Sequence, residues 1–235
     1  MSAFNFKKFK IHHQQSFKVG TDGVLLGAWI KLDNPHTILD IGSGSGLIPL
    51  ILAQRTNSTV IKGVEIDDLS FEESVKNVEE SPWSDRVEIL HDSVQSFSDN
   101  TATKFDLIVS NPPFFNNSVK SSDKKKAIAR HTDKLSFEDL IDVANKHLTE
   151  VGKLAVVLPK VEGENFIQLA SSKGLYLNRL TEVSSKKDKP VERLLMEFSE
   201  NDLVLEQDKL IIQFEKRNDY TPGYIELTKD FYTIM

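Results

Sequence analysis

The sequence predicts an open, doubly wound α/β sheet of seven mostly parallel strands, and two observations carry that prediction. Short runs rich in Val, Ile and Leu alternate with helical patterns after residue 37, an alternation typical of a parallel sheet covered by helices on both faces. Four helical patterns separate the strands, a fifth precedes the first strand, and the last two strands follow each other directly. Such sheets bind ligands beyond the carboxyl ends of their strands, so functional side chains are expected there.

The elements follow in order along the chain. The predicted strands are 36–42, 59–67, 86–92, 105–111, 152–159, 175–185 and 192–199, with further strand-like runs at 203–206 and 210–214. The predicted helices are 24–30, 46–56, 69–81, 136–148 and 162–174. Ser70 with Glu73, and Ser136 with Asp139, have the spacing of helix-capping pairs.

The bulk composition excludes several classes of protein. The chain has 235 residues, of which 39% are hydrophobic and 27% charged. No apolar run is long enough to span a membrane, and the first residues lack the apolar core of a secretory signal, so we expect a cytoplasmic protein. The absence of cysteine excludes disulfides and thiolate metal sites. His12 and His13 have no evident third ligand, so no metal is predicted.

The net charge of −6 is unevenly distributed. Residues 1–31 carry +4, residues 118–131 carry +4 and residues 186–193 carry +2, so the remaining chain carries −16. An acidic body with three basic stretches is compatible with a polyanion bound on one face. Lysine-rich loops that are only solvated would give the same pattern, so charge alone leaves both interpretations open.

A glycine-rich turn follows the first predicted strand. Gly42, Gly44 and Gly46 lie in "DIGSGSG", where glycine permits a tight strand-to-helix turn and close approach of a ligand to the backbone. The dinucleotide fingerprint needs its third glycine one position later, where this chain has Leu47, so an oxidoreductase is disfavoured. The spacing after Asp40 resembles motif I of the class I S-adenosylmethionine-dependent methyltransferases, with a purely structural turn as the alternative.

Two acids follow at the ends of the next two strands. Glu65 lies 19 residues beyond Gly46, a place from which a carboxylate can accept hydrogen bonds from both ribose hydroxyls; Asp67 is a weaker candidate. Asp92 follows the third strand and can accept from an adenine amino group. Each acid alone could be a solvated loop residue. Three successive strand ends with the expected groups favour a site for S-adenosyl-L-methionine.

The fourth strand ends in "SNPPFF", which resembles motif IV of methyltransferases that act on planar amide or amine nitrogens. The lone pair of such a nitrogen is delocalised, so two acceptors that take both N–H groups favour the pyramidal form that attacks a methyl group. The Asn111 side-chain oxygen and the Pro112 carbonyl oxygen are the predicted acceptors, in a loop that consecutive prolines hold rigid. Phe114 offers a stacking face for a planar base. The alternative is that Asn-Pro-Pro only terminates a strand, and residues 115–117 have no assigned role.

The amino-terminal region narrows the resemblance to one family of methyltransferases. "FKKFKIHHQQSFKVGTDGVLLGAW", with "DIGSGSGLI", "VEID", "SNPPFF" and "ARH", resembles the bacterial methyltransferases that form N6-methyladenine at position 37 of tRNA(Val), just 3′ of the anticodon. The resemblance implies a Rossmann-like class I methyltransferase that transfers a methyl group directly to the exocyclic amine. It implies that Lys18, Thr21 and Asp22 lie at the methionine end of the cofactor, with Thr21 on its carboxylate and Asp22 on its amino group. Thr21, Asp22 and Gly23 could instead, or in addition, cap the following helix.

The basic loop after the fourth strand is assigned to RNA. It leaves the edge of the sheet at which the site is expected, and phosphate contacts from it would position a tRNA without specifying sequence. The assigned RNA-binding residues are Lys124, Lys125, Lys126, Arg130 and His131.

The whole chain, residues 1–235, is expected to form a single methyltransferase domain. Residues 1–36 form an extension on the cofactor and RNA side, residues 37–199 the catalytic core, and residues 200–235 carboxyl-terminal strands and a tail. Two other functions stay open: N5-methylation of a glutamine side chain in a protein, and a non-catalytic RNA-binding module. Asn-Pro-Pro-aromatic suits a glutamine amide equally well, but glutamine methyltransferases carry a helical recognition domain that the 36 residues before the first strand do not match.

Overall fold

The computed structural model of the protein describes residues 2–13, 19–57, 59–113 and 135–233. Ten strands and seven helices lie within those ranges. The strands are β1 (Ser2–Asn5), β2 (Lys10–His13), β3 (Thr37–Ile41), β4 (Val60–Glu65), β5 (Val87–His91), β6 (Phe105–Ser110), β7 (Leu148–Pro159), β8 (Tyr176–Lys186), β9 (Arg193–Ser199) and β10 (Glu206–Gln213). The helices are α1 (Thr21–Trp29), α2 (Leu47–Arg55), α3 (Asp68–Glu79), α4 (Val94–Asn100), α5 (Phe137–His147), α6 (Lys160–Ser172) and α7 (Pro222–Thr228).

The large sheet confirms the doubly wound, mostly parallel arrangement. Its eight strands run in the order β10-β8-β9-β7-β6-β3-β4-β5, and β9 alone is antiparallel to its neighbours. The sheet has one strand more than the seven predicted because β10 pairs with β8. The predicted run at 203–206 is not a strand of its own: pairing begins at Glu206, opposite Arg179, and Val204 stays 92% exposed.

The strand order reverses beside β3. From β3 the chain builds outward through β4 and β5 on one side and through β6 and the later strands on the other, which leaves a crevice at the carboxyl ends of β3 and β6. Ile41, the last residue of β3, pairs with Val64 and with Ser110. We call the edge beyond these residues the carboxyl edge; because β9 is antiparallel, its amino end lies there too.

Two apolar clusters cover the two faces of the large sheet. Ile38 and Leu39 are consecutive residues of β3 and belong to different clusters, because side chains alternate between faces along a strand. Helices α1 and α2 pack on one face, and α4, α5 and α6 pack on the other. Among the helices of the described residues, none combines the length and the apolar character that a membrane span requires.

A separate antiparallel pair, β1 with β2, precedes the large sheet. The sequence does not predict this hairpin because its strands have only four residues each, too few to show an alternating pattern. Phe4 pairs with Ile11, and the Phe6 ring stacks on Phe9 with their centroids 4.6 Å apart. Phe6 also bridges to Tyr232, so the first described residues are held against the last.

The two predicted helix caps have different outcomes. Ser136 and Asp139 form the expected capping box at the start of α5. The Ser70–Glu73 cap is wrong, because α3 begins earlier, at Asp68. The N-cap is Asp67, whose side chain accepts a hydrogen bond from the Ser70 backbone N–H at 2.9 Å.

Candidate active site

Four neighbouring strand ends carry polar groups to the carboxyl edge. Gly42 follows β3, Glu65 ends β4, Asp92 follows β5 and Asn111 follows β6. The parallel registers place these ends side by side, and the Asp92 backbone N–H donates to the Glu65 carbonyl oxygen at 3.1 Å. The structure therefore brings together the glycine turn, the two predicted acids and the predicted amine acceptor.

The glycine turn has the backbone conformation that requires glycine. Gly42, Gly44 and Gly46 have φ angles of 75°, 54° and 78°, in the left-handed region that side chains disfavour. A Cβ atom added at Gly42 or Gly44 would meet nothing within 4 Å, so open space lies above the turn. The Gly42 and Ser43 N–H groups donate to the Val64 carbonyl oxygen at 2.9 and 3.2 Å, which fixes the turn to β4.

Glu65 is a buried brace rather than a solvated loop residue. Its side chain is 8% exposed, and its carboxylate accepts the N–H groups of Gly44, Ile66 and Asp67 at 2.7, 3.0 and 2.9 Å. A carboxylate has about four acceptor directions, so one remains for an incoming hydroxyl. The weaker candidate, Asp67, serves as the N-cap of α3 instead.

Asp92 is anchored at the start of α4. Its Oδ1 accepts the Ser93 N–H at 2.8 Å and its Oδ2 accepts the Ser96 hydroxyl at 3.1 Å. The Ser93 side chain in turn caps α4. The carboxylate is thereby held at the carboxyl edge with acceptor capacity to spare.

Asp40 is a buried acid beneath the glycine turn. Neither of its carboxylate oxygens has a hydrogen-bond partner among the described residues. Burial raises the pKa of Asp40 to about 7, and the nearby charge of Glu65 acts in the same direction. An unpaired buried carboxyl group fits a ligand that brings a positively charged amino group, which S-adenosylmethionine has.

Replacing Asp40 with Asn is expected to flatten the pH dependence of stability. The folded protein without cofactor binds the Asp40 proton more tightly than the unfolded chain, so the stability contributed by this group is complete below about pH 4 and is lost as the pH rises through about 7. Between those values we expect the free energy of unfolding of the unsubstituted protein to fall by roughly 2–4 kcal/mol more than that of Asp40→Asn. Urea unfolding across this pH range measures it, and parallel profiles would contradict it.

Helix α1 begins at the predicted cofactor-side residues. Its N-cap is Gly20, and no side chain caps it, so the alternative that Thr21 and Asp22 serve as caps is wrong. Asp22 instead accepts a hydrogen bond from Arg193 Nε at 2.7 Å. The sequence gives no signal for this ion pair, since 171 residues separate its members. Lys18 lies outside the described residues.

Asn111 and Pro112 lie where the acceptor pair is predicted. Ser110, just before them, donates its hydroxyl to the Ile41 carbonyl oxygen at 2.8 Å, which ties the end of β6 to the end of β3. Pro112 is buried and Asn111 is half-buried. Among the described residues, no group hydrogen-bonds the Asn111 side chain. Phe114, residues 115–117 and the assigned RNA-binding residues Lys124, Lys125, Lys126, Arg130 and His131 lie outside the described residues.

Two buried residues that support the glycine turn were missed by the sequence reasoning. Asn77 of α3 donates to the Ser45 carbonyl oxygen at 2.9 Å and to the His12 carbonyl oxygen at 3.1 Å, and accepts the His12 N–H at 2.8 Å. It thus connects the turn to the β1–β2 hairpin. Gly63 lies beneath the turn, where a Cβ would come within 2.3 Å of Ser43 Oγ. No local pattern signals either residue, because each acts through residues distant in the chain.

Asn77→Ala is expected to destabilise the protein by about 2–4 kcal/mol, because it leaves one buried and two part-buried backbone groups without their partner. The glycine turn would loosen with it, so we expect cofactor affinity to fall as well. Chemical unfolding and calorimetric titration measure the two effects. Asn57→Ala is the matched control, since Asn57 is exposed at the opposite edge of the sheet; equal stability of the two variants would contradict the assignment.

A separate cavity lies away from these groups. It has a volume of about 470 Å³ and lies at the amino ends of β4 and β5, where Val60 and Val87 line it. Arg86 also lines the cavity, and its guanidinium donates to the carbonyl oxygens of Thr56 and Thr59, at 2.6 and 3.2 Å. Because this cavity is at the far end of the strands, it does not belong to the candidate site.

The sheet, the glycine turn and the residues at four strand ends define a class I methyltransferase. The family described as "Methyltransferase small domain" matches residues 14–172. A predicted O-methyltransferase from Agrobacterium tumefaciens has the same fold, with a TM-score of 0.70 at 19% identity over 89% of this chain and 96% of that one. A glycopeptide N-methyltransferase crystallised with S-adenosyl-L-methionine has a TM-score of 0.57 at 12% identity over 76% of this chain and 94% of that one; at such identities the likeness shows the fold alone.

The chain belongs to the tRNA1(Val) (adenine(37)-N6)-methyltransferase family. It is 46% identical to the protein of that name from Trichodesmium erythraeum over 97% of both chains. It is 42% identical to the one from Flavobacterium johnsoniae over 99% of this chain and 100% of that one. The similarity confirms the resemblance found in the sequence motifs.

Proposed function

We propose that the protein transfers a methyl group from S-adenosyl-L-methionine to N6 of adenine 37 in tRNA1(Val). The relatives that match along nearly the whole chain carry that activity in their names. The observation that carries the proposal is the register between β3 and β6. Ile41 pairs with Ser110, so the glycine turn and the Asn111 acceptor begin at adjacent residues of two adjacent strands.

The residues of the turn and of the neighbouring strand ends fit the cofactor. Glu65 has one free acceptor direction for a ribose hydroxyl, and Asp92 is held where an adenine amino group would donate to it. The unpaired carboxyl group of Asp40 and the carboxylate of Asp22 suit the amino group of the methionine end, while Thr21 suits its carboxylate. Gly42 and Gly44 leave open the space that a ligand over the turn would need.

Asn111 and Pro112 prepare the amine of the target base. The side-chain oxygen of Asn111 and the carbonyl oxygen of Pro112 accept its two N–H groups and turn its lone pair outward, and Phe114 stacks on the ring. Held over the glycine turn, S-adenosylmethionine would supply an electrophilic methyl group for the nitrogen, and its sulfur would keep the electron pair of the bond given up. The nitrogen becomes acidic only after methylation and then releases one proton to water, so no strong base is required. The rate of transfer depends mainly on how the amine and the methyl group are positioned.

The remaining assignments follow from a tRNA substrate. The base lies in a loop that is already single-stranded, so placing it against Asn111 costs less than flipping it from a duplex. Lys124, Lys125, Lys126, Arg130 and His131 bind its phosphates. The protein acts in the cytoplasm, where tRNA is available. Residues 1–235 work as one domain, which the contact between Phe6 and Tyr232 supports.

The test uses two transcripts of tRNA1(Val) that differ only at position 37, one with adenine and one with guanine. Incubation with methyl-labelled S-adenosylmethionine is expected to label the first transcript and not the second, and nuclease digestion should give N6-methyladenine. Equal labelling of both would move the target to another nucleotide. Methylation of a protein glutamine is not favoured by the named relatives; label that enters total cell protein and not tRNA would revive it.

A further inference from the structure

We infer that two turns at the carboxyl edge, residues 186–193 and residues 214–219, form one surface that binds the phosphate backbone of the RNA beside the target base. The first turn joins β8 to β9 and the second follows β10. The inference deepens the proposed function and rests on it for the identity of the RNA. We call the two turns together the lateral surface.

The two turns are one structural unit. Lys186, at the end of β8, donates from its Nζ to the Glu215 carbonyl oxygen at 2.7 Å. Lys186 also pairs in register with Gln213, the last residue of β10. The second turn is closed by the Phe214 N–H, which donates to the Asp219 carbonyl oxygen at 2.7 Å. Charges on either turn are therefore presented side by side.

The lateral surface is positive within an acidic chain. Its two turns contain six basic and four acidic residues, a net charge of +2 in a protein of net charge −6. Arg193 is engaged with Asp22, and Glu192 accepts the Ser185 hydroxyl at 2.6 Å. The basic residues of this surface that are exposed and form no ion pair among the described residues are Lys187, Lys189, Lys216 and Arg217. Exposed cations without protein partners are free to displace the counterions of phosphates.

The position of the surface matches the path of an RNA whose base reaches Asn111. In the sheet order, β9, β8 and β10 are two, three and four strands away from β6, which places the two turns roughly 10–20 Å from Asn111 along the carboxyl edge. Nucleotides that flank the target base cross this distance. Phe214 is 49% exposed next to the cations. Exposed aromatic side chains among basic residues are typical of surfaces on which nucleobases stack.

Two double substitutions test the surface: Lys187→Gln with Lys189→Gln, and Lys216→Gln with Arg217→Gln. The matched control is Lys104→Gln with Lys146→Gln, which removes the same charge from exposed positions at the opposite edge. Binding of tRNA1(Val) is measured by filter retention over a series of salt concentrations. Each test variant is expected to bind about tenfold more weakly at physiological salt, with a slope of log K against log salt reduced by about 1 to 2, whereas the control stays within about twofold.

Measurements of folding and of cofactor binding exclude misfolding and loss of the cofactor site as causes of weaker tRNA binding. Both test variants are expected to keep the unsubstituted protein's melting temperature, since their residues are exposed and form no ion pair among the described residues. All variants are expected to keep its affinity for S-adenosylmethionine, since none of the substituted residues touches the site. Unchanged tRNA affinity and salt slope in either test variant would overturn the joint surface. The readout is binding, so it is independent of methyl transfer: a protein that methylated no tRNA would defeat the proposed function, whereas a neutral variant of an active enzyme would defeat only this inference.

Discussion

Asn111→Ala is expected to slow methyl transfer by about 100-fold or more while leaving the affinity for S-adenosylmethionine within a few-fold. The substitution removes one of two acceptors for the amine, so the lone pair of the nitrogen stays delocalised into the ring. The residues proposed to bind the cofactor lie at other strand ends, and the glycine turn is fixed by Val64 and Glu65 rather than by Asn111. The effect should therefore fall on the chemical step alone.

A single-turnover assay with saturating cofactor and tRNA measures that step, and calorimetric titration measures cofactor binding. Asn111→Asp keeps acceptor oxygens at the same position and should lose less activity than Asn111→Ala. Asn57→Ala makes the same chemical change at an exposed residue of the opposite edge and should be neutral. If Asn111→Ala loses cofactor binding in proportion to activity, the residue is mainly a structural support.

Glu65→Gln is expected to weaken cofactor binding by about 100-fold and to destabilise the protein by about 2–4 kcal/mol. The amide nitrogen of Gln cannot accept, so either the N–H of Gly44 or the N–H groups of Ile66 and Asp67 lose their partner. The same change removes the negative charge that we propose accepts a ribose hydroxyl of the cofactor. Both effects come from one side chain because the carboxylate joins the glycine turn to the end of β4.

Calorimetric titration and urea unfolding distinguish the two roles of Glu65. Glu79→Gln is the control, since Glu79 is exposed on α3 and its loss should change neither quantity. A Glu65→Gln variant that is destabilised but binds S-adenosylmethionine with unchanged affinity would show that the carboxylate is only a brace. A variant of full stability that fails to bind would show that its three backbone contacts contribute little to folding.

The sequence predicts those parts of the site that depend on where parallel strands end. Gly42, Glu65, Asp92 and Asn111 each follow or end a recognisable strand, and parallel pairing brings such ends together whatever the details of packing. The glycine turn is predictable for a similar reason: glycine adopts positive φ at the least steric cost, so three glycines directly after a strand indicate a tight turn.

What the sequence does not predict depends on contacts between distant segments. Asn77 reaches His12 across 65 residues, and Arg193 reaches Asp22 across 171; neither has a local pattern that differs from an ordinary helix or strand residue. The place of the edge strand β10 in the sheet is not predicted, for a related reason. Its apolar residues indicate a strand, but only the packed sheet selects β8 as its parallel partner.

The contact between the first and the last described segments limits how early the β1–β2 hairpin can reach its final packing during translation. The β1–β2 hairpin leaves the ribosome before the other elements described, yet the Lys7 N–H donates to the Phe231 carbonyl oxygen and the Lys7 ammonium to the Lys229 carbonyl oxygen, 222 residues later. Until those residues emerge, Phe4 and Phe6 lack the Tyr232 ring that they pack against in the finished fold. The hairpin, which Asn77 joins to the glycine turn, is therefore among the last parts of the protein to reach its final packing.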